Sequence, residues 1–302
     1  MSKTRKILVI GGNGFIGQNI INRANDLEWN TTNLSYNNDK TRAANHFIKA
    51  DIGDISSLEK NLTDKSYDYI VNCGGYVDHS TFSKNGIDIL NTHFGGVMNI
   101  LHMINKSSLK KFINLGSGDE YGSNKSPQLE SFRENPNSTY SFAKMASSHF
   151  LQMLNRTEGI PTTSIRLFLV YGPGQMENRF IPQIIKGCLQ NKSFPTSSGT
   201  QIRDFCYIDD VIEAIFLALF SKKAEGQILN IGSGNPIQIR RIVMLINNII
   251  GKGNPVFGDV PLRILENMSL FPEINLAKEI LDWVPATSIQ DGLTKTIDSF
   301  NE

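Results

Sequence analysis

The stretch ILVIGGNGFIG, residues Ile7 to Gly17, decides the fold of this 302-residue chain. Its opening run, Ile7 to Ile10, is apolar without alternation, the pattern of a strand buried on both faces in a parallel sheet covered by helices. Gly11, Gly14 and Gly17 then follow at a spacing of three. Glycines so placed let the strand turn sharply, let a pyrophosphate approach the backbone, and let the next helix pack close to the sheet. A helix opening at Asn13, Phe15 and Ile16 would aim unpaired N–H groups and its positive dipole end at that phosphate. A glycine triplet alone is also an ordinary turn, but here the strand before it and the apolar helix after it both fit dinucleotide binding.

Outward from that stretch, strand and helix alternate. Strands are expected at Thr31 to Ser35, Phe47 to Ala50, Tyr69 to Cys73 and Phe112 to Leu115, with a later short strand around Arg203 to Cys206. Between them, Asn85 to Ile104 carries Ile87, Leu90, Phe94, Val97, Met98 and Leu101 at helical spacing. The fold class expected is α/β, a doubly wound parallel (Rossmann) sheet with a smaller mixed α/β substrate-binding lobe. We expect the dinucleotide-binding unit over residues 1–172, completed by 203–232, and the substrate lobe over 173–202 and 233–302. Ligands in such sheets sit beyond the carboxyl ends of the strands, where Ser117 falls.

A formal net charge of +1 gives no electrostatic reason to expect nucleic acid or a membrane surface. Cys73, Cys188 and Cys206 are scattered without metal-ligand spacing and read as buried reduced thiols, and no metal site is expected. The basic start at Lys3, Arg5 and Lys6 leads into too short an apolar run for a signal-peptide core, and no later run approaches membrane-spanning length, so the cytosol is the expected compartment.

Tyr140 and Lys144 are four apart on a strong amphipathic helix and therefore share one face. An ammonium beside a phenol stabilises the phenolate and lowers its pKa toward the range of proton exchange near neutral pH. Tyr-x-x-x-Lys also occurs at Tyr36/Lys40 and Tyr121/Lys125, but in segments rich in Asn, Ser and Gly. The competing reading of Tyr140 is an exposed helix tyrosine beside a solvated lysine.

Together, GGNGFIG, Asp51, GSGDEYG, YSFAK and VYGPG resemble the extended short-chain dehydrogenase/reductase family, whose members modify nucleotide-linked sugars. ENRFIPQII, GTQIRDFCYIDDV and LDWVPATSIQDGL extend the resemblance over nearly the whole chain. It implies that Ser117, Tyr140 and Lys144 are catalytic, with Asn91 nearby at the substrate. Tyr140 would exchange a proton with a sugar oxygen that Ser117 holds, while Lys144 also binds the nicotinamide ribose. Asp51, with Ile52 beside it, would contact the adenine. Arg203 and Arg263 match positions the family sets against the nucleotide's phosphates, a task suited to paired, permanently charged donors. Either could instead serve a salt bridge, with Asp204 beside one and Glu266 near the other. Leu169 stands where the family often has an asparagine. The resemblance also implies a homodimer.

Two further departures bear on the chemistry. Family members that use NAD usually end the second strand in an acid that binds the ribose hydroxyls, and here Ser35 stands there. With Lys40 and Arg42 following, NADP(H) is favoured over NAD(H). Gly118 occupies the first of the two positions where dehydratases of the family carry adjacent acids, leaving only Asp119. The reading is an oxidoreductase that reduces the 4-keto group of a nucleotide-activated deoxysugar. The alternatives are an NAD-dependent nucleotide-sugar 4-epimerase and, behind it, a 4,6-dehydratase.

Overall fold

Strand β1 (Lys6–Ile10) sends alternate side chains into two different cores. Ile7 and Val9 pack with Ile20 and Ile21 of helix α1 (Phe15–Asp26) on one face, while Leu8 and Ile10 join Leu34, Ile70 and Phe112 on the other. All four β1 residues are buried, and each such aliphatic side chain contributes about 1.5–3 kcal/mol. The absence of alternation in the sequence thus has its cause: at β1 neither face of the sheet meets water. The computed structural model describes residues 4–38, 43–262 and 266–300.

The other strands of this sheet are β2 (Asn30–Ser35), β3 (His46–Lys49), β4 (Tyr69–Asn72), β5 (Lys111–Ser117), β6 (Thr162–Leu167) and β7 (Ile228–Ile231). They lie in the order β7-β6-β5-β4-β1-β2-β3, every neighbouring pair parallel, with Ile7 opposite both Thr31 and Tyr69. The winding reverses between β1 and β4, which opens a crevice at their carboxyl ends. The doubly wound sheet expected from the sequence is the one observed. Beyond it, Ser193–Thr196 pairs with Asn254–Phe257, and Ile202–Arg203 lies between Ile237–Gln238 and Ser269–Leu270, forming the smaller mixed lobe.

Two elements differ from expectation. The long helix, α2 here, spans residues 87–103 and is not uniform: α-helical turns at Ile87–Leu90 and Gly96–Met103 flank a π-helical turn at Asn91–Gly95. The strand expected around Arg203 to Cys206 is broken at Asp204 into Ile202–Arg203 and Phe205–Tyr207. The buried Asp204 carboxylate accepts from the Ser233 N–H (2.6 Å), the Ser233 hydroxyl (2.9 Å) and the Asn235 N–H (3.2 Å), bonds that turn it out of a strand ladder. Among the described residues no helix is long and apolar enough to cross a membrane.

Candidate active site

At one end of the crevice the site is built from backbone. Gly11 has φ +75°, and its carbonyl accepts from the Gly14 N–H at 2.9 Å. A Cβ on Gly17 would stand 2.4 Å from the Gly11 oxygen, so α1 can sit this close to the turn only with glycine there. Gly14 caps α1 without a side-chain hydrogen bond, so no side chain covers the first-turn amides. A cradle that any Cβ would obstruct, ending in uncovered helix amides, fits a dinucleotide pyrophosphate. Phe15 and Ile16 open the helix as expected.

Asn13 and Ser35 act together rather than separately. The Asn13 N–H donates to the Ser35 hydroxyl (3.2 Å), that hydroxyl donates to Asn33 Oδ1 (2.9 Å), and Asn33 Nδ2 donates to Asn13 Oδ1 (3.0 Å). This closed ring ties the glycine turn to the end of β2. Asn33 was absent from the expected set. Its signal was a polar residue in a strand that is otherwise buried. Asp51 Oδ1 accepts from the Gly53 N–H (2.8 Å), and the carbonyl of buried Ile52 accepts from Asn99 Nδ2 (2.9 Å). Lys40 and Arg42, cited for NADP(H), lie outside the described residues, as does Arg263.

At the other end the site is built from side chains. Helix α3 (Thr139–Glu158) begins with a reciprocal Ser138–Ser141 capping box and stops at Gly159, which adopts φ +67°. It carries Tyr140 and Lys144, both buried, to the end of β5, where Lys144 Nζ donates to the Leu115 carbonyl at 2.8 Å. Ser117, Tyr140 and Lys144 therefore do come together. The phenol, however, is not lowered as the sequence suggests. Burial, then the Asp119 charge, holds the Tyr140 pKa well above its ordinary value, with the adjacent Ser117 hydroxyl partly offsetting them. Burial also pulls Lys144 down to about 8, against the opposing charge of Glu120. Desolvation and the Asp119 charge set the phenol's pKa, while the ammonium on which the sequence argument relied is bonded to the Leu115 carbonyl.

Glu120, one turn beyond Ser117, is wholly buried and holds this corner together. Its Oε1 accepts from the Ser117 N–H (2.9 Å), and its Oε2 from the Ser148 hydroxyl (3.0 Å) and Arg166 Nε (2.7 Å). Arg166, 0% exposed, also pairs with Glu134, which meets His149 at 3.0 Å. The sequence reading passed over Glu120. A charge inside β6, a strand buried along its whole length, needs a buried partner, so Arg166 was the available signal.

The Asn91 side chain, at the start of the π-helical turn, is exposed and hydrogen-bonds no described residue. His93 occupies the interior instead, its ring 5.1 Å from that of Tyr140. Arg203 is drawn into a salt bridge with Glu266 and donates to the Ile202 carbonyl at 2.9 Å, the alternative role weighed from sequence.

A sequence model of the NAD dependent epimerase/dehydratase family matches residues 7–232, which include the glycine cradle and the whole Ser117, Tyr140, Lys144 cluster. The chain belongs to that family. This epimerase/dehydratase is 29% identical to a putative UDP-glucose 4-epimerase of Methanocaldococcus jannaschii over 97% of each chain. It is 28% identical to a dTDP-glucose 4,6-dehydratase of Escherichia coli, covering 97% of this chain and 92% of the relative. Among solved structures, the UDP-glucuronic acid 4-epimerase of Bacillus cereus, in complex with UDP-glucuronic acid and NAD, superposes with a TM-score of 0.84 at 27% identity, covering 98% of this chain and 99% of that one. The epimerase/dehydratase described here is thus a nucleotide-sugar-modifying enzyme of the extended short-chain dehydrogenase/reductase type.

Proposed function

We propose that this enzyme is an NAD-dependent nucleotide-sugar 4-epimerase. The observation that carries the reading is the meeting of the Ser117 and Tyr140 hydroxyls above Lys144 at the carboxyl end of β5, beside the glycine cradle. A bound nicotinamide supplies hydride acceptance and return at the sugar carbon. The chain's own residues handle the oxygen. Ser117 holds the C4 oxygen, and Tyr140 exchanges the proton with it, taking it as C4 is oxidised and returning it when C4 is reduced from the other face. Burial of Lys144 beside the cradle suits it to hold the nicotinamide ribose, with Asp51 and Ile52 toward the adenine. The relatives that share its whole length include 4-epimerases, which moves the main reading away from one-way ketone reduction and NADP(H). Gly118 stands at the first of the two positions after the serine where dehydratases of the family carry acids, leaving only Asp119 of that pair, which weighs against dehydration.

One observation favours the reductase as a second reading: β2 ends in Ser35, whose hydroxyl is engaged with Asn13 and Asn33, and not in a carboxylate for the ribose. Denaturing freshly purified protein and identifying the released nucleotide separates the two. An epimerase carries stoichiometric NAD and interconverts two nucleotide hexoses with no net absorbance change. A reductase purifies empty and consumes one reduced cofactor per ketone converted.

A further inference from the structure

The phenol ring of Tyr140 stands edge-on between two imidazoles, His93 at 5.1 Å and 85° and His79 at 5.6 Å and 79°. His79 is half-exposed, with its Nε2 3.9 Å from the Asp119 carboxylate. His93 is buried and fixed on three sides. Its backbone carbonyl accepts from the Ser147 hydroxyl (3.0 Å), on the helix that bears Tyr140 and Lys144. Its Nε2 lies 2.9 Å from the Tyr76 carbonyl in the loop after β4, and since a carbonyl only accepts, Nε2 carries the proton. Its ring fills the space over Gly75, where a Cβ would stand 2.2 Å from Cε1 and where φ is +107°. Nδ1 is buried with no hydrogen-bond partner among the described residues. A buried unpaired acceptor costs free energy, so an imidazole here is a poor choice for packing alone.

We propose that His93 is a positioning residue for the catalytic pair: as an uncharged Nε2–H imidazole it ties the loop after β4 to the helix bearing Tyr140 and Lys144 and holds the phenol ring edge-on, with Gly75 making its room. This rests on the reading of Tyr140 as the proton-transferring group. The neutral ring adds no second positive charge beside Lys144. Burial, then the Lys144 charge, brings its pKa down to about 3, so it stays neutral through the working range. The titratable groups packed around it are Tyr140 and Lys144 from α3, and Tyr76 from the loop after β4, with Cys73 flanking Lys144.

Ring-nitrogen NMR of the full chain labelled with 15N-histidine tests the state of His93 without turnover. The expected result is a persistent Nε2–H tautomer with no titration between pH 8 and pH 5. Protonation near 6.5, or an Nδ1–H tautomer, overturns the inference. Two variants test the role: His93→Phe keeps a ring but loses the bond to Tyr76, and His93→Asn removes the ring. Each should lower kcat about ten- to a hundredfold, with KM for the nucleotide sugar changed by no more than about threefold. Wild-type kcat in both, with or without a lower melting temperature, overturns it. Tyr140→Phe, run in parallel, separates the two levels. If that variant is inactive while both His93 variants are unaffected, the inference falls and the reading of Tyr140 stands.

Discussion

The two ends of the crevice are made from different material. After β1 the chain shapes the cradle with backbone: a glycine at positive φ, a helix whose N-terminus no side chain caps, and a short ring of Asn13, Asn33 and Ser35 that steadies the turn. After β5 it shapes the site with buried side chains from far-apart segments: Glu120 from the turn, Ser148 and Lys144 from α3, Arg166 from β6 and His93 from α2. A backbone-built end tolerates little added volume but holds no buried charge. A side-chain-built end depends on every charge keeping its partner.

The sharpest way to break this contrast is Tyr140→Phe. It deletes one hydroxyl and no packing volume, so turnover should fall on the order of a hundred- to ten-thousandfold. Cofactor affinity, set by the glycine cradle and the retained Lys144, should be unchanged by fluorescence titration. A parallel loss of affinity would mean the two ends are not separable.

Glu120→Gln comes next. It leaves Arg166 buried opposite a neutral amide and removes the charge that opposes desolvation of Lys144. Removing one partner of a buried pair costs about 3–5 kcal/mol, measurable by urea unfolding. A change of under about 1 kcal/mol would show that Glu134 and the Tyr121 ring, 4.4 Å from the Arg166 guanidinium, suffice.

Gly17→Ala probes the backbone end. Its Cβ meets the Gly11 oxygen, which cannot rotate away, so α1 must shift. We expect about 1–3 kcal/mol of destabilisation by overpacking together with weaker dinucleotide binding. Unchanged cofactor affinity would show that the close approach of α1 does not shape the cradle.

The last test is a pH dependence with opposite signs in rate and stability. Lys144 is lowered from 10.5 to about 8 by burial, so the ammonium is lost, and with it the rate, as pH rises through about 8. Over the window from about 8 to 10.5 the unfolded chain binds the proton that the native state has released. Stability attributable to this group therefore rises with pH there, by up to about 1.4 kcal/mol per pH unit. The difference between wild type and Lys144→Met in unfolding free energy isolates it. A difference that shrinks with pH in favour of the variant would show that the ammonium is not penalised by burial.

Much of the first end was legible in sequence because its signals are local. Gly11, Gly14 and Gly17, the apolar run of β1 and the helix after it lie within a few residues of one another, and local geometry alone sets what they do. Ser117, Tyr140 and Lys144 were legible for a related reason: Tyr140 and Lys144 share a helix face by spacing, and Ser117 sits at a strand end by the alternation of elements. Arg203 was undecidable at that level, since Glu266 became its partner only through folding.

The sequence by itself determined the α/β alternation, the parallel sheet with β1 buried on both faces, the glycine cradle and the family to which they belong. Only the tertiary structure decided that the His93 ring packs against Tyr140, from a π-helical turn whose spacing departs from the 3.6-residue period on which facing arguments depend. It also decided that Glu120 and Arg166 pair inside the protein beside Ser117, and that burial and the Asp119 charge set the phenol's pKa. Spacing along a chain fixes directions within one element. Desolvation and charge pairing depend on what the other elements bring into the same few ångströms.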